Sequence, residues 1–177
     1  VLFQLYREEQ ENRKNLFEFL LSEFPQIKTL IYCINSKQND SIYDQDVQTY
    51  FGEGFLMEEM DGLQFKIGPK SFFQTNTRQT VNLYKLIEEY AQLSGSEIVY
   101  DVYCGVGSIG IFLARHASKV IGIEEIPAAI EDAQKNAQIN HLDNLVFHTG
   151  DAKALLNEEM IQNYGIPDVL VVDPPRV

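Results

Sequence analysis

Apolar positions recur at two different spacings along this chain, and the change between them divides it. Val1 to Tyr6 is apolar enough for a strand. Leu16, Phe17, Leu20, Leu21 and Phe24 then fall at helical spacing, a stripe that Pro25 ends. Lys28 to Asn35 is rich in branched and aromatic residues and predicts a strand, with Cys33 as a core residue inside it. Ser36 to Asp46 is polar and predicts a loop. Two strands are expected to flank Asp61-Gly62, a pair suited to the positive φ angles of a tight hairpin. In the second of them Leu63, Phe65 and Ile67 alternate with Gln64 and Lys66. Residues 1–72 therefore read as a small α+β unit that starts abruptly in a strand and is expected to be incomplete.

The pattern changes at Thr75. Val81, Tyr84, Ile87 and Ala91 mark an amphipathic helix closed by Gly95. The expected order after it is strand Glu97–Val102, helix Ser108–His116, strand Lys119–Glu124, helix Pro127–Gln138, strand Leu145–His148, helix Ala152–Asn163 and strand Asp168–Asp173. Alternating strands and helices imply βαβ units and a parallel sheet covered on both faces. Residues 73–177 are thus one α/β domain, and ligands of such sheets bind at the carboxyl ends of the strands.

Composition narrows the setting. No apolar run approaches the roughly 18 residues of a membrane span, and the first residues lack the pattern of a signal peptide. Cys33 and Cys104 sit in unrelated contexts and suggest no disulfide framework, so a reducing cytoplasm is expected. The 26 acidic and 14 basic residues leave a net charge of -12. Gripping phosphates requires clustered Lys and Arg, so this chain is not expected to hold nucleic acid alone.

The residues with chemistry fall at the expected strand ends. Asp101-Val102-Tyr103-Cys104-Gly105-Val106-Gly107-Ser108-Ile109-Gly110 occupies a strand-to-helix turn, and its glycines permit a tight turn and close approach to a ligand. The spacing also fits a dinucleotide site. Asp101 argues against that, since a carboxylate at the strand end repels a pyrophosphate and attracts an ammonium. Glu124 ends the next strand, 23 residues beyond Asp101, where an acid can accept hydrogen bonds from ribose hydroxyls. Asp151 follows the third strand and suits either contact with an adenine amino group or capping of the next helix. Asp173-Pro174-Pro175-Arg176 follows the apolar run Val169–Val172, its prolines fixing the loop that presents Asp173. An aromatic residue usually follows such a motif in enzymes that methylate amino groups, and Arg176 stands there instead. Ser71-Phe72-Phe73-Gln74-Thr75-Asn76 precedes the first helix of the domain and, taken alone, reads as a linker with Thr75 or Asn76 as cap.

With these motifs the chain resembles the RNA uracil-C5 methyltransferases that modify 23S ribosomal RNA or tRNA. The resemblance rests on S-F-F-Q-T-N at 71–76, D-V-Y-C-G-V-G-S-I-G at 101–110, G-I-E at 122–124, A-I-E-D-A-Q-K-N-A at 129–137 with Asn140, and D-P-P-R at 173–176. It is strong over about 60–177 and loose before that. It implies a Rossmann-like class I methyltransferase sheet, incomplete at its C-terminal end and preceded by the α+β unit, which would be an RNA-contacting central region. It implies S-adenosyl-L-methionine as cofactor, contacted by Gln74, Tyr103, Ser108, Glu124, Asp151 and Asp173, with Asp101, Gly105 and Gly107 completing the site. Ser108 stands where Asn or Thr is common. The resemblance further implies methylation of uracil C5, with 23S rRNA ahead of tRNA as substrate, RNA as partner of the full-length enzyme, and no metal or membrane in this segment. In the family a cysteine beyond D-P-P-R adds to C6, making C5 able to attack the sulfonium methyl, and a glutamate base removes the C5 proton. Cys104 is a loop feature and not that nucleophile, so the chain is expected to be a fragment with no catalytic residue of its own. A nicotinamide-dependent oxidoreductase leaves D-P-P-R unexplained, and a small-molecule or protein methyltransferase leaves F-Q-T-N unexplained. A non-catalytic RNA-associated module gives no reason for the acids at 101, 124 and 173.

Overall fold

A computed structural model describes residues 1–37, 39, 41, 42 and 44–174. The chain divides into two compact units, Val1–Leu56 with Gly68–Lys70, and Met57–Ile67 with Ser71–Val177.

The first unit holds β1 (Leu2–Leu5), α1 (Gln10–Glu23), β2 (Leu30–Ile34) and β3 (Val47–Phe51). Its sheet runs β1-β2-β3, with β1 parallel and β3 antiparallel to β2. Phe17 is its anchor: fully buried, it meets the rings of Phe3, Tyr32 and Tyr50 at 5.2, 5.7 and 5.0 Å. Leu20 and Leu21 pack with it, whereas Leu16 and Phe24 of the expected stripe are exposed, so the apolar face of α1 is narrower than its spacing suggests. Asn35, also buried, shapes the loop after β2. Its amide donates to the carbonyls of Asn39 and Ser41 and its Oδ1 accepts from the Lys37 N–H. Cys33 is buried as expected, and burial pushes its thiol pKa up.

The second unit opens with the hairpin β4 (Leu56–Met60) and β5 (Leu63–Ile67). Asp61 and Gly62 both take positive φ, 52° and 80°, as the two-residue turn requires. The strand before this turn is not continuous with β3, because Gly52 and Gly54 turn the chain between them at φ 76° and 79°. A cut after residue 72 therefore misplaces one element, since the hairpin clusters with the second unit.

Two asparagines explain that attachment. On α4 (Pro127–Ile139) Asn136 accepts from the Lys66 N–H at 2.7 Å and donates to the Lys66 carbonyl at 3.3 Å. One turn further, Asn140 accepts from the Gln64 N–H at 2.8 Å and donates to the Gln64 carbonyl at 2.7 Å. Each side-chain amide thus pairs with β5 as a neighbouring strand's backbone would. The i, i+4 spacing sets both on one helix face, opposite alternate residues of the strand.

α2 (Thr77–Ala91) leads into β6 (Ile98–Val102), α3 (Ser108–Ala114), β7 (Lys119–Glu124), α4, β8 (Leu145–Thr149), α5 (Ala152–Leu155), α6 (Glu158–Tyr164) and β9 (Val169–Val172). The four strands pair in parallel in the order β8-β7-β6-β9. Val99, Ile111, Phe112, Leu113 and Val120 fill one side of the sheet, and Tyr100, Val102, Ile121, Ile123 and Met160 the other. The expected helix 152–163 is two helices. The Asn157 side chain donates to the Ala154 carbonyl and accepts from the Met160 N–H, ending one helix and capping the next. α3 stops two residues short of His116, and Asn144 takes the carbonyls of Ala114 and Ala117 at its end. Among the described residues no helix is long and apolar enough to cross a membrane, and no cluster of metal-ligating side chains occurs.

Candidate functional site

The carboxyl ends of β6 and β7 meet the glycine turn. The Tyr103 and Cys104 N–H groups both donate to the Ile123 carbonyl, at 2.8 and 3.0 Å, so the turn starts by crossing the end of β7. Tyr103 does so at φ 66°, a left-handed conformation that a bulky residue rarely adopts, with its ring 41% exposed. Gly105 (φ 55°) and Gly107 (φ 78°) continue the turn into α3. A Cβ on Gly105 would meet no atom within 4 Å, so this stretch of backbone borders open space. A Cβ on Gly107 would lie 3.1 Å from Ala133 and the Phe147 ring, so that glycine serves packing as well as φ.

Asp101 lies beneath this turn, 1% exposed. Its Oδ2 accepts from the Gly110 N–H at 2.8 Å, while its Oδ1 is buried with no hydrogen-bond partner among the described residues. Burial raises its pKa to about 7, the charges of Asp173 and Glu124 push the same way, and the Gly110 N–H opposes them. A buried carboxylate oxygen lacking a donor is costly, and an ammonium or N–H donor would relieve it.

Glu124 is half-buried and fastens the turn from the β7 side. Its Oε2 accepts from the Gly105 N–H at 3.1 Å and its Oε1 from the Ile126 N–H at 3.0 Å. Each oxygen retains a further lone pair for a hydroxyl. Asp173, just past β9, is exposed, and its N–H reaches the Val102 carbonyl at 3.4 Å. The pairing of Val102 with Val172 sets Asp173 at the end of the strand beside that of Asp101. Pro174 follows, and the Pro175 and Arg176 of the D-P-P-R motif lie outside the described residues.

The other predicted residues are occupied in more ordinary ways. Asp151 caps α5, accepting from the Ala154 N–H at 3.0 Å. The Ser108 hydroxyl is 2.8 Å from that of Tyr84. Gln74 is half-buried in the segment before α2, which is held by Ser71 donating to Asp132 at 2.6 Å and by Phe73 against Phe65 at 5.5 Å. Asn76, one of the two expected caps, accepts from the Gln79 N–H.

Cys104 is buried against Gly122, where a Cβ would come 3.0 Å from its sulfur and 2.5 Å from Phe147. Burial, then the charges of Asp101 and Glu124, push its thiol far above the ordinary range. Burial and the raised pKa both disfavour a thiolate at this position. Tyr84 lies outside the quoted motifs, and the contacts of Gly122 and Asn136, which lie inside them, go unread there. Gly122 carries a signal that could have been used, a glycine inside a strand marking close approach. Asn136, part of the A-I-E-D-A-Q-K-N-A motif, also donates to the Val106 carbonyl in the turn at 3.3 Å, a contact the motif alone does not reveal. Tyr84 reads only as part of a helix's apolar stripe.

Residues 93–172 match the family model of a methyltransferase domain. An uncharacterized RNA methyltransferase from Bacteroides thetaiotaomicron is 51% identical over 168 residues, covering 95% of this chain and 37% of the relative. One from Porphyromonas gingivalis is 47% identical, covering 99% and 38%. The chain thus spans little more than a third of the length of the curated relatives it matches. Among solved structures, the Pyrococcus abyssi tRNA (uracil-54, C5)-methyltransferase in complex with S-adenosyl-L-homocysteine superposes with a TM-score of 0.71 at 30% identity, over 88% of this chain and 36% of that one. The tRNA m1G37 methyltransferase of M. jannaschii shares the fold at a TM-score of 0.56 and 20% identity, over 81% and 42%. The parallel sheet of the second unit, with its helices, is the Rossmann-like fold of the S-adenosylmethionine-dependent methyltransferases.

Proposed function

We propose that this chain carries the S-adenosyl-L-methionine site of an RNA methyltransferase that acts on uracil C5. The observation that carries the cofactor reading is the buried, unpartnered Oδ1 of Asp101 beneath an open glycine turn, which suits the cofactor's amino group. Glu124 would take the ribose hydroxyls, Gly105 and Gly107 would let the backbone approach, and Tyr103, Ser108, Asp151, Asp173 and Gln74 would complete the contacts. The bound cofactor supplies an electrophilic methyl group. The chain's own residues would bind it and orient it.

The C5 assignment rests on the motif set and on likeness to the Pyrococcus abyssi enzyme. Addition to C6 needs a thiolate, and both Cys33 and Cys104 are buried with raised pKa values. The motif resemblance implies a thiolate supplied from outside residues 1–177, and this chain is assigned to the cofactor. The division into a 1–72 RNA-contacting region and a 73–177 cofactor domain remains part of the proposal, with the hairpin 57–67 moved to the latter. The motif resemblance puts 23S rRNA first as substrate, and the tRNA specificity of the Pyrococcus abyssi enzyme supports tRNA as the second reading.

The test is nucleoside mass spectrometry of 23S rRNA and tRNA from cells with and without the gene for the complete protein. Loss of 5-methyluridine from one RNA class is expected. Unchanged 5-methyluridine in both, with another methylated base lost, would refute the C5 assignment.

A further inference from the structure

The least expected neighbour of the site is Tyr84. It sits in α2 among core residues, 3% exposed, its ring 5.6 Å from that of Phe112 and nearly perpendicular to it. A buried phenol needs a polar partner, and this one is 2.8 Å from the Ser108 hydroxyl, the first residue of α3. The charges of Asp101 and Asp173 both act on it. Through that contact the phenol reaches the first turn of α3, directly after the glycine turn. Burial, with those two acids, pushes its pKa up to about 12, so it stays protonated across the physiological range.

Two hydroxyls sharing one hydrogen bond must divide the roles. Either hydroxyl could donate; a phenol is the stronger acid and the better donor, so we assign the Tyr84 O–H as donor to the Ser108 oxygen. The Ser108 O–H is then directed away from Tyr84 and left to donate elsewhere. Without Tyr84 the serine hydroxyl would rotate freely among staggered positions.

We infer that Tyr84 is a positioning residue for the cofactor: its hydroxyl holds that of Ser108 so that the serine donates to the methionine portion of S-adenosylmethionine. The inference rests on the cofactor reading above and assigns to it a residue that touches the cofactor only through another.

The experiment is isothermal titration of S-adenosylhomocysteine into wild type, Tyr84→Phe, Ser108→Ala and the double variant, with urea unfolding midpoints for each. Phe keeps the ring and its packing, so folding is retained. Tyr84→Phe is expected to weaken binding roughly 2- to 10-fold, the range for one neutral hydrogen bond. The double variant should bind like Ser108→Ala, because Tyr84 acts through that serine. A purely structural tyrosine would shift the urea midpoint and leave affinity unchanged, which would overturn the inference. So would losses that multiply in the double variant, or a Ser108→Ala variant that binds like wild type. No binding by folded wild type would instead sink the cofactor reading, and the inference with it.

Discussion

Tyr103 and Asp101 show what the turn costs and what that cost supports. Tyr103 holds a left-handed backbone that glycine would adopt freely, at a strain of about 1–3 kcal/mol. Its half-exposed ring contributes modest burial in return. Tyr103→Gly is therefore expected to leave stability near the wild-type value while weakening S-adenosylhomocysteine binding, as paired unfolding and titration measurements would show. A large loss of stability would mean the ring is structural. For Asp101 the pH sign is definite. Its folded pKa is raised, from 3.8 toward about 7, so its contribution to stability is fully present below the lower value and is lost as pH rises toward the upper one. Asp101→Asn keeps an acceptor for the Gly110 N–H and removes the titration. The variant should match or exceed wild-type stability at pH 8, the gap opening between about pH 4 and 7, and should bind cofactor worse. Urea midpoints against pH check this, and a gap that widened toward acid pH would contradict the burial argument.

At the scale of elements, the asparagine ladder decides where the hairpin belongs. Asn136 is fully buried and serves Lys66 on both sides of its peptide as well as the Val106 carbonyl. Asn136→Ala is expected to cost about 2–3 kcal/mol, since groups it satisfied are left buried. Hydrogen exchange should localise the effect: Lys66 loses protection in Asn136→Ala and Gln64 in Asn140→Ala, with the central strands unchanged. Uniform loss across β6 and β7 would show that the ladder is not a separate attachment. Such elements were unevenly legible in the sequence. The βαβ order, the Asp61-Gly62 turn and the strand-end positions of Asp101 and Glu124 follow from periodicity and turn chemistry, which act over a few residues. The split at Asn157 was missed because Asn interrupts a helix only when its side chain finds both the end of one helix and the start of the next. The hairpin's membership was missed because it depends on contacts between residues some 70 positions apart. Tyr84 was hidden for the same reason, its role lying in a hydroxyl contact 24 residues away.

For the whole molecule, net charge bears directly on what the chain can hold by itself. With 26 acidic and 14 basic residues, the chain by itself should bind RNA weakly at physiological salt. A gel-shift titration with ribosomal RNA fragments should show little retardation, and tight, salt-sensitive binding would contradict this reading of the charge. The proposed cofactor site of the buried acid, the glycine turn and Glu124 needs no RNA to be tested. The most direct measurement is isothermal titration of S-adenosylhomocysteine, and separately of NADH, into folded wild type and Glu124→Ala. Wild type should bind one S-adenosylhomocysteine per chain and no NADH. Glu124→Ala should bind S-adenosylhomocysteine roughly 5- to 150-fold more weakly, the equivalent of about 1–3 kcal/mol. Absence of S-adenosylhomocysteine binding by folded wild type, or equal affinity in the two proteins, would contradict the account.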